Sequence, residues 1–215
     1  MKTLKSISTD QFEIIENILK LHVPSGQIDF DGTFGRGNFY KNGRIQRPLI
    51  CSDINDHSGP IDIRETPFLS DSVNTIMFDP PFVMGQGPSL KVKKKNQNIM
   101  ANQFSLFKNP KELFEFYNAA LKEQYRILKK NGILIFKCQD CVWSGKNVIS
   151  HYAIIHMAYK IGFYPKDIAI LEAKNKPISG KIKKQQHFRK FHSYFLVLQK
   201  KNPMIKYDEL MGYIC

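Results

Sequence analysis

The stretch with the most chemical content is Asp79-Pro80-Pro81-Phe82, which closes the apolar run Val73 to Phe78. Two prolines fix φ and remove two backbone donors, so the carbonyls there are left to accept from something else. A carboxylate, a rigid carbonyl and an aromatic ring are then held together where a strand ends. The competing reading is a proline turn that only caps the strand. Two more carboxylates follow short apolar runs upstream. Asp31 opens the turn Asp31-Gly-Thr-Phe-Gly-Arg-Gly37, whose Gly32, Gly35 and Gly37 permit tight turning and close backbone approach to a ligand. Asp53 follows Leu49-Ile50-Cys51 and is placed to accept from both hydroxyls of a ribose, although an aspartate there also serves as a turn residue or helix cap.

The elements that must position these groups can be read from hydrophobic period and punctuation. Ser8-Thr9-Asp10 offers an N-cap to a helix with Phe12, Ile15, Ile18 and Leu19 on one face, stopped by Pro24 and Gly26. Ile28–Phe30, Leu49–Cys51, Ile61–Ile63, Val73–Phe78, Ile133–Phe136, Ile168–Leu171 and Tyr194–Leu198 read as strands. Pro110 starts a helix whose face includes Leu113, Tyr117, Ala120 and Leu121, with Asn131-Gly132 expected to cap it. Val148 to Ile161 reads as another helix, stopped by Gly162. Strand–helix alternation predicts an α/β chain: a Rossmann-like, doubly wound, mostly parallel seven-stranded sheet with an antiparallel hairpin at one edge. In such sheets ligands bind beyond the carboxyl ends of strands, which is where all three carboxylates fall.

Composition narrows the class. The 215 residues carry 32 Lys+Arg against 19 Asp+Glu, a net charge of +13, with 42% apolar and 24% charged residues. This excludes global disorder and predicts one domain over 1–215. No apolar run is long enough to span a bilayer, and Gln11, Glu13 and Glu16 interrupt any apolar leader, so a cytoplasmic protein with no membrane role is expected. Two acid-free basic windows, 83–108 and 174–190, hold twelve of the 32 cations. Lys91, Lys93, Lys94 and Lys95 lie in the first, and Lys181, Lys183, Lys184 and Arg189 in the second. Interleaved with Phe104, Phe107, His187 and Phe188, they suit phosphate attraction and base stacking, so a nucleic-acid partner is expected; plain solvated lysine loops are the alternative.

The series Asp31-Gly-Thr-Phe-Gly-Arg-Gly37, Asp53, Asp62 and Asp79-Pro-Pro-Phe82 resembles the ordered motifs of S-adenosylmethionine-dependent amino-methyltransferases. Leu128 to Asp140 and the closing strand Arg189-Lys-Phe-His-Ser-Tyr-Phe-Leu-Val-Leu198 extend the resemblance toward DNA adenine-N6 and cytosine-N4 enzymes, over most of Ile28 to Lys200. The resemblance implies S-adenosyl-L-methionine as cofactor. Asp31, Thr33, Gly35 and Gly37 would shape the loop under its methionine part, Asp53 would hold the ribose, and Asp62 with Ile63 would border the adenine. Asp79 and the Pro80 carbonyl would accept from the substrate amine, with Pro81 stiffening the turn and Phe82 stacking on the base.

Alternatives stay open at this level. The Asp-Gly-Thr-Phe-Gly wording is also similar to ribosomal RNA cytosine-N4 methyltransferases, and Phe82 in place of Tyr occurs in guanine-N2 RNA enzymes and some protein methyltransferases. A non-enzymatic nucleic-acid-binding module would keep the basic windows but has no use for Asp53 and Asp79 at strand ends. Cys138-x-x-Cys141 lacks a second ligand pair at metal spacing, so no metal is expected. His151 and His156 read as core or surface residues, and His187 and His192 as phosphate contacts.

Overall fold

A computed structural model of the protein describes residues 3–53, 60–82, 107–174 and 185–201, with 206 and 209. Nine strands and three helices are described. In chain order they are β1 (Ile7–Ser8), α1 (Gln11–His22), β2 (Phe30–Asp31), β3 (Ile50–Cys51), β4 (Val73–Phe78), α2 (Pro110–Ile127), β5 (Leu128–Cys138), β6 (Cys141–Trp143), β7 (Lys146–Val148), α3 (Ser150–Ile161), β8 (Phe163–Glu172) and β9 (His192–Lys200). Seven strands form one sheet in the order β1-β8-β9-β5-β4-β2-β3, and β6 and β7 form a separate hairpin. The β2–β3, β2–β4, β4–β5 and β1–β8 pairs are parallel; β9 runs antiparallel to both β5 and β8.

The unbroken apolar run of β5 follows from burial on both faces. Leu134, Phe136 and Cys138 enter a core shared with Leu113, Tyr117 and Leu121 of α2 and Ile154 and Ala158 of α3. Ile133 and Ile135 enter the opposite core with Ile14, Ile15, Ile18 and Leu19 of α1. β9 divides its side chains the same way, Phe195 and Val197 toward α1, Leu196 and Leu198 toward α2 and α3. Full burial of one such side chain contributes about 1.5–3 kcal/mol, so the central strands are the rigid part of the platform.

The helix limits have local causes. Asp10 caps α1 by accepting from Phe12 N at 2.9 Å, and Asn109 caps α2 by accepting from Glu112 N at 3.0 Å. Gly162 ends α3 with φ 122°, and a Cβ there would lie 2.8 Å from the Tyr125 hydroxyl, so only glycine lets the end of α3 approach α2 this closely.

Three expectations need correction. Ile61–Ile63 is no strand: Asp62 bridges only to Glu65, across a turn in which its carboxylate accepts from Arg64 N. The seventh strand is instead the two-residue β1, which pairs with β8 outside the β8–β9 hairpin. Asn131-Gly132 does not cap α2, which stops at Ile127. These two residues lie inside β5 where two steps on β4 (Val73 to Thr75) match five on β5 (Leu128 to Ile133). Asn131 takes φ 67°, and a Cβ on Gly132 would lie 3.0 Å from the Asn74 carbonyl, so the pair makes a bulge rather than a helix stop. Val148 belongs to β7, and the following helix begins at Ser150.

Candidate active site

The three aspartates converge at the carboxyl ends of β2, β3 and β4. Asp31, the last residue of β2, is buried with both oxygens filled: Thr33 N and Oγ1 donate to Oδ1 at 2.9 and 3.1 Å, and the Tyr40 hydroxyl donates to Oδ2 at 2.7 Å. Burial pushes this carboxyl up to about 7, against the pull of the Tyr40 and Thr33 donors, and the nearby charge of Asp79 adds to the rise. The Thr33 hydroxyl also accepts from Asp79 N at 2.8 Å. One hydroxyl thus ties the glycine-rich turn to the proline turn.

In the glycine-rich turn Gly35 has φ 50° and Gly37 φ 65°, and a Cβ on Gly37 would strike the Phe34 ring at 2.7 Å. Gly35 donates its N–H to Asp53 Oδ2 at 3.2 Å, and the nearest atom to a Cβ on Gly35 is that same oxygen at 3.8 Å. The turn therefore leaves open space in front of Gly35, beside a carboxylate. Phe34 stacks on Tyr40, and the Arg47 guanidinium lies 4.9 Å from the Phe34 centroid. Asp62 is engaged by the Arg64 guanidinium, which holds its carboxyl below the usual range, while Ile63 is buried beneath Gly32.

Asp79 follows β4 directly, and Lys137 stands beside it on β5, where Phe78 pairs with Phe136. The Lys137 ammonium lies 3.3 Å from Asp79 Oδ2, whereas Asp79 Oδ1 is buried with no hydrogen-bond partner among the described residues. Burial raises the Asp79 carboxyl and Lys137 opposes the rise. Lys137 also lies 4.9 Å from the centroid of Phe39 and 5.8 Å from that of Phe195. The Pro81 carbonyl accepts from the hydroxyl of fully buried Tyr117 at 3.0 Å, so α2 braces the proline turn from below. Pro80 is buried, and Pro81 and Phe82 are half-buried. Lys137 and Tyr117 were not singled out from sequence. For Lys137 a signal existed: a lone cation directly after Ile133–Phe136 on a buried strand needs a partner.

A second polar cluster lies beyond β5. Asp140 accepts from His151 N at 3.2 Å, from His151 Nδ1 at 2.9 Å and from the Tyr194 hydroxyl at 3.4 Å. His192 Nε2 lies 2.9 Å from the Tyr194 hydroxyl, and the His151 ring stacks on Tyr194. His151 is thus part of a joint between α3 and β9. His187 contacts Gly145 O at 2.7 Å and Asn147 at 3.2 Å, and Gln139 donates to Lys190 O, so the end of the second basic window is fastened to the β6–β7 hairpin. Arg189 is half-buried there; Lys91, Lys93, Lys94, Lys95, Lys181, Lys183 and Lys184 lie outside the described residues. Cys138 and Cys141 are free thiols, and among the described residues no group of three or more His, Cys, Asp or Glu could hold a metal. Among the same residues no helix is long and apolar enough to cross a membrane.

The family model for N6/N4-type DNA methylases matches residues 73–211. No curated protein matches the chain. Among solved structures, TrmN from Thermus thermophilus aligns over 90% of this chain and 50% of its own, at 14% identity and a TM-score of 0.50, a likeness of fold. PvuII DNA methyltransferase, cytosine-N4-specific, aligns over 69% of this chain and 50% of its own, at 17% identity and a TM-score of 0.45. A second Thermus thermophilus protein, described as a DNA modification methylase and solved with S-adenosyl-L-methionine, aligns over 68% and 56%, at 18% identity and a TM-score of 0.44. The chain spans about half the length of these three structures.

Proposed function

The chain belongs to the DNA methylase family whose model it matches, and from that premise we propose that it methylates an exocyclic amino group of a nucleobase in DNA, adenine-N6 or cytosine-N4, using S-adenosyl-L-methionine. The observation that carries the reading is Asp79 Oδ1, a carboxylate oxygen buried at a strand end and without a partner among the described residues, on a residue whose backbone N–H donates to Thr33 of the glycine-rich turn. An orphaned buried acceptor is costly unless something else completes it.

The residues at the turn fit the cofactor. Gly35 leaves room for close approach, and Asp53 stands beside it as an acceptor for ribose hydroxyls. When bound, S-adenosylmethionine supplies a methyl group on a sulfonium, an electrophile that needs no further activation. The remaining work belongs to the chain. An exocyclic amine delocalises its lone pair into the ring and is a poor nucleophile. Asp79 accepts one amino hydrogen and the Pro80 carbonyl the other, since Tyr117 already engages the Pro81 carbonyl. Two fixed acceptors favour a pyramidal nitrogen with its lone pair aimed along the line of transfer, so positioning supplies much of the rate. The proton leaves after the methyl arrives, and no strong base is required. A base in duplex must be flipped out at about a few kcal/mol, offset in part by stacking on Phe82. Lys91, Lys93, Lys94, Lys95, Lys181, Lys183, Lys184 and Arg189 supply phosphate contacts in this reading, as basic loops of a single domain.

The test is methyl transfer from labelled S-adenosylmethionine to duplex DNA, single-stranded DNA, total RNA and a protein extract in parallel, with Asp79→Ala as control and mass analysis of the digested nucleosides. Label in N6-methyladenine or N4-methylcytosine of DNA, lost in the variant, supports the proposal. Label confined to RNA or protein moves the acceptor, and no transfer with no cofactor binding sinks the enzymatic reading.

A further inference from the structure

Lys137 is an unusual neighbour for a carboxylate that must accept from an amine. It projects from β5 between two fully buried residues, Phe136 and Cys138, and its side chain is 14% exposed. Its ammonium carries three donors. Among the described residues one is used, on Asp79 Oδ2, and the other contacts are the ring faces of Phe39 and Phe195. Ring faces attract a cation but leave its donor capacity unspent. Beside it, Asp79 Oδ1 is an unspent acceptor. A donor in excess and an acceptor in excess therefore lie side by side at one strand end, both on backbone held by the central sheet.

That pairing has a chemical complement. In adenine the methylated amine is next to ring N1, and in cytosine next to ring N3; each is an acceptor beside a donor on the Watson–Crick edge. On guanine the amine stands between N1–H, a second donor that an ammonium repels, and ring N3, an acceptor off the Watson–Crick edge. We propose that Lys137 and Asp79 read this edge together, Asp79 taking one amino hydrogen while Lys137 donates to the adjacent ring nitrogen, N1 of adenine or N3 of cytosine. The inference rests on the amino-methyl transfer proposed above and adds to it a specificity-determining residue. Proton count is unchanged: Lys137 donates a hydrogen bond and keeps its proton, and the amine releases its own after transfer. The same contact withdraws density from the ring, so Lys137 trades some nucleophilicity for orientation and selection.

The experiment compares the full chain with Lys137→Met and Lys137→Arg on oligonucleotides carrying the natural target base or its analogue lacking the ring nitrogen, 1-deazaadenine or 3-deazacytosine. For the unsubstituted protein kcat/KM is expected to fall on the order of 10- to 100-fold on the analogue, the size of one hydrogen bond to a charged group. Lys137→Met should be slow on the natural base and lose nothing further on the analogue, while Lys137→Arg should keep the discrimination. Intrinsic differences in amine reactivity cancel when the ratio of natural base to analogue in one variant is divided by the same ratio in another. Equal losses on both substrates in Lys137→Met, with the discrimination intact, would make Lys137 a mere counter-ion of Asp79 and overturn the proposal. So would the absence of an analogue penalty in the unsubstituted protein. Failure of that protein to methylate even the natural base defeats the underlying function instead, and this inference with it. Thermal melting of each variant shows that a slow one is folded.

Discussion

Asp79 and Asp140 follow neighbouring parallel strands at the same end of the sheet, and the fold treats them in opposite ways. Asp140 is filled: a backbone N–H and a ring nitrogen of His151 and the Tyr194 hydroxyl occupy its oxygens, and the cluster ties the start of α3 to β9. Among the described residues Asp79 has one cation on Oδ2 and nothing on Oδ1. A buried carboxylate with every lone pair engaged can only hold elements together, because any ligand must first displace a partner. One with an empty oxygen is completed by whatever brings the missing donor. Solvent access and unfilled acceptors thus separate the joint from the site together: the Asp140 side chain is 5% exposed and that of Asp79 25%.

The sharpest way to break this contrast is to truncate both residues. Asp79→Ala should lower the rate of methyl transfer by on the order of 10² to 10³ or more, the scale on which loss of one aligned polar group acts in a closed site. Asp140→Ala should leave the rate within a few-fold but lower unfolding free energy in urea by on the order of 3 kcal/mol, since His151 and Tyr194 lose their acceptor. A folded Asp140→Ala protein without activity would show that the joint is itself part of the site.

Asp31 sharpens the comparison from a third side, because it is both filled and strained by burial. Its folded carboxyl lies at about 7, above the ordinary 3.8, so the folded state holds this proton more tightly than the unfolded one. The contribution is fully present below about pH 4 and lost as pH rises to about 7, a fall on the order of 4 kcal/mol. Asp31→Asn should flatten the pH dependence of the melting temperature between pH 4 and 7 relative to the unsubstituted protein. Carboxyls held low, such as Asp62 and Glu123, act in the opposite direction and are common to both. An identical pH profile in the variant would mean that the Tyr40 and Thr33 donors offset burial completely.

The smallest effect is expected at Asp10, a carboxylate with purely local work. Asp10→Ala removes the α1 cap and one partner of Arg44, at about 1 kcal/mol, with methyl transfer unchanged. A larger kinetic effect would tie α1 to the site.

Much of this molecule was legible in contiguous residues. Asp10 before a helical period, Pro110 at the start of α2, Gly162 at the end of α3 and the apolar runs of β4 and β5 each act through neighbours a few positions away, so their chemistry is written locally. The glycine-rich turn, Asp53 and the proline turn each follow a short apolar run, and parallel pairing of β2 with β3 and β4 puts them at one end of the sheet. Local reading failed where register decided. β1 has only two residues, too short to show a period, and exists because β8 offers it an edge. Asn131-Gly132 carries a helix-stop signature but makes a bulge, because β5 must shift against β4 before Ile133 can pair with Thr75.

The composition of the candidate site was thus set by the amino-acid order, and its electrostatics by the tertiary structure. Asp79 and Lys137 are 58 positions apart, Asp79 and Thr33 46, and Asp140 and Tyr194 54. No periodicity relates residues at such separations. Parallel pairing of β4 with β5 and antiparallel pairing of β5 with β9 bring them together, and a slip of one residue would turn Lys137 to the opposite core. Which carboxylate is filled and which is left open is a property of that register.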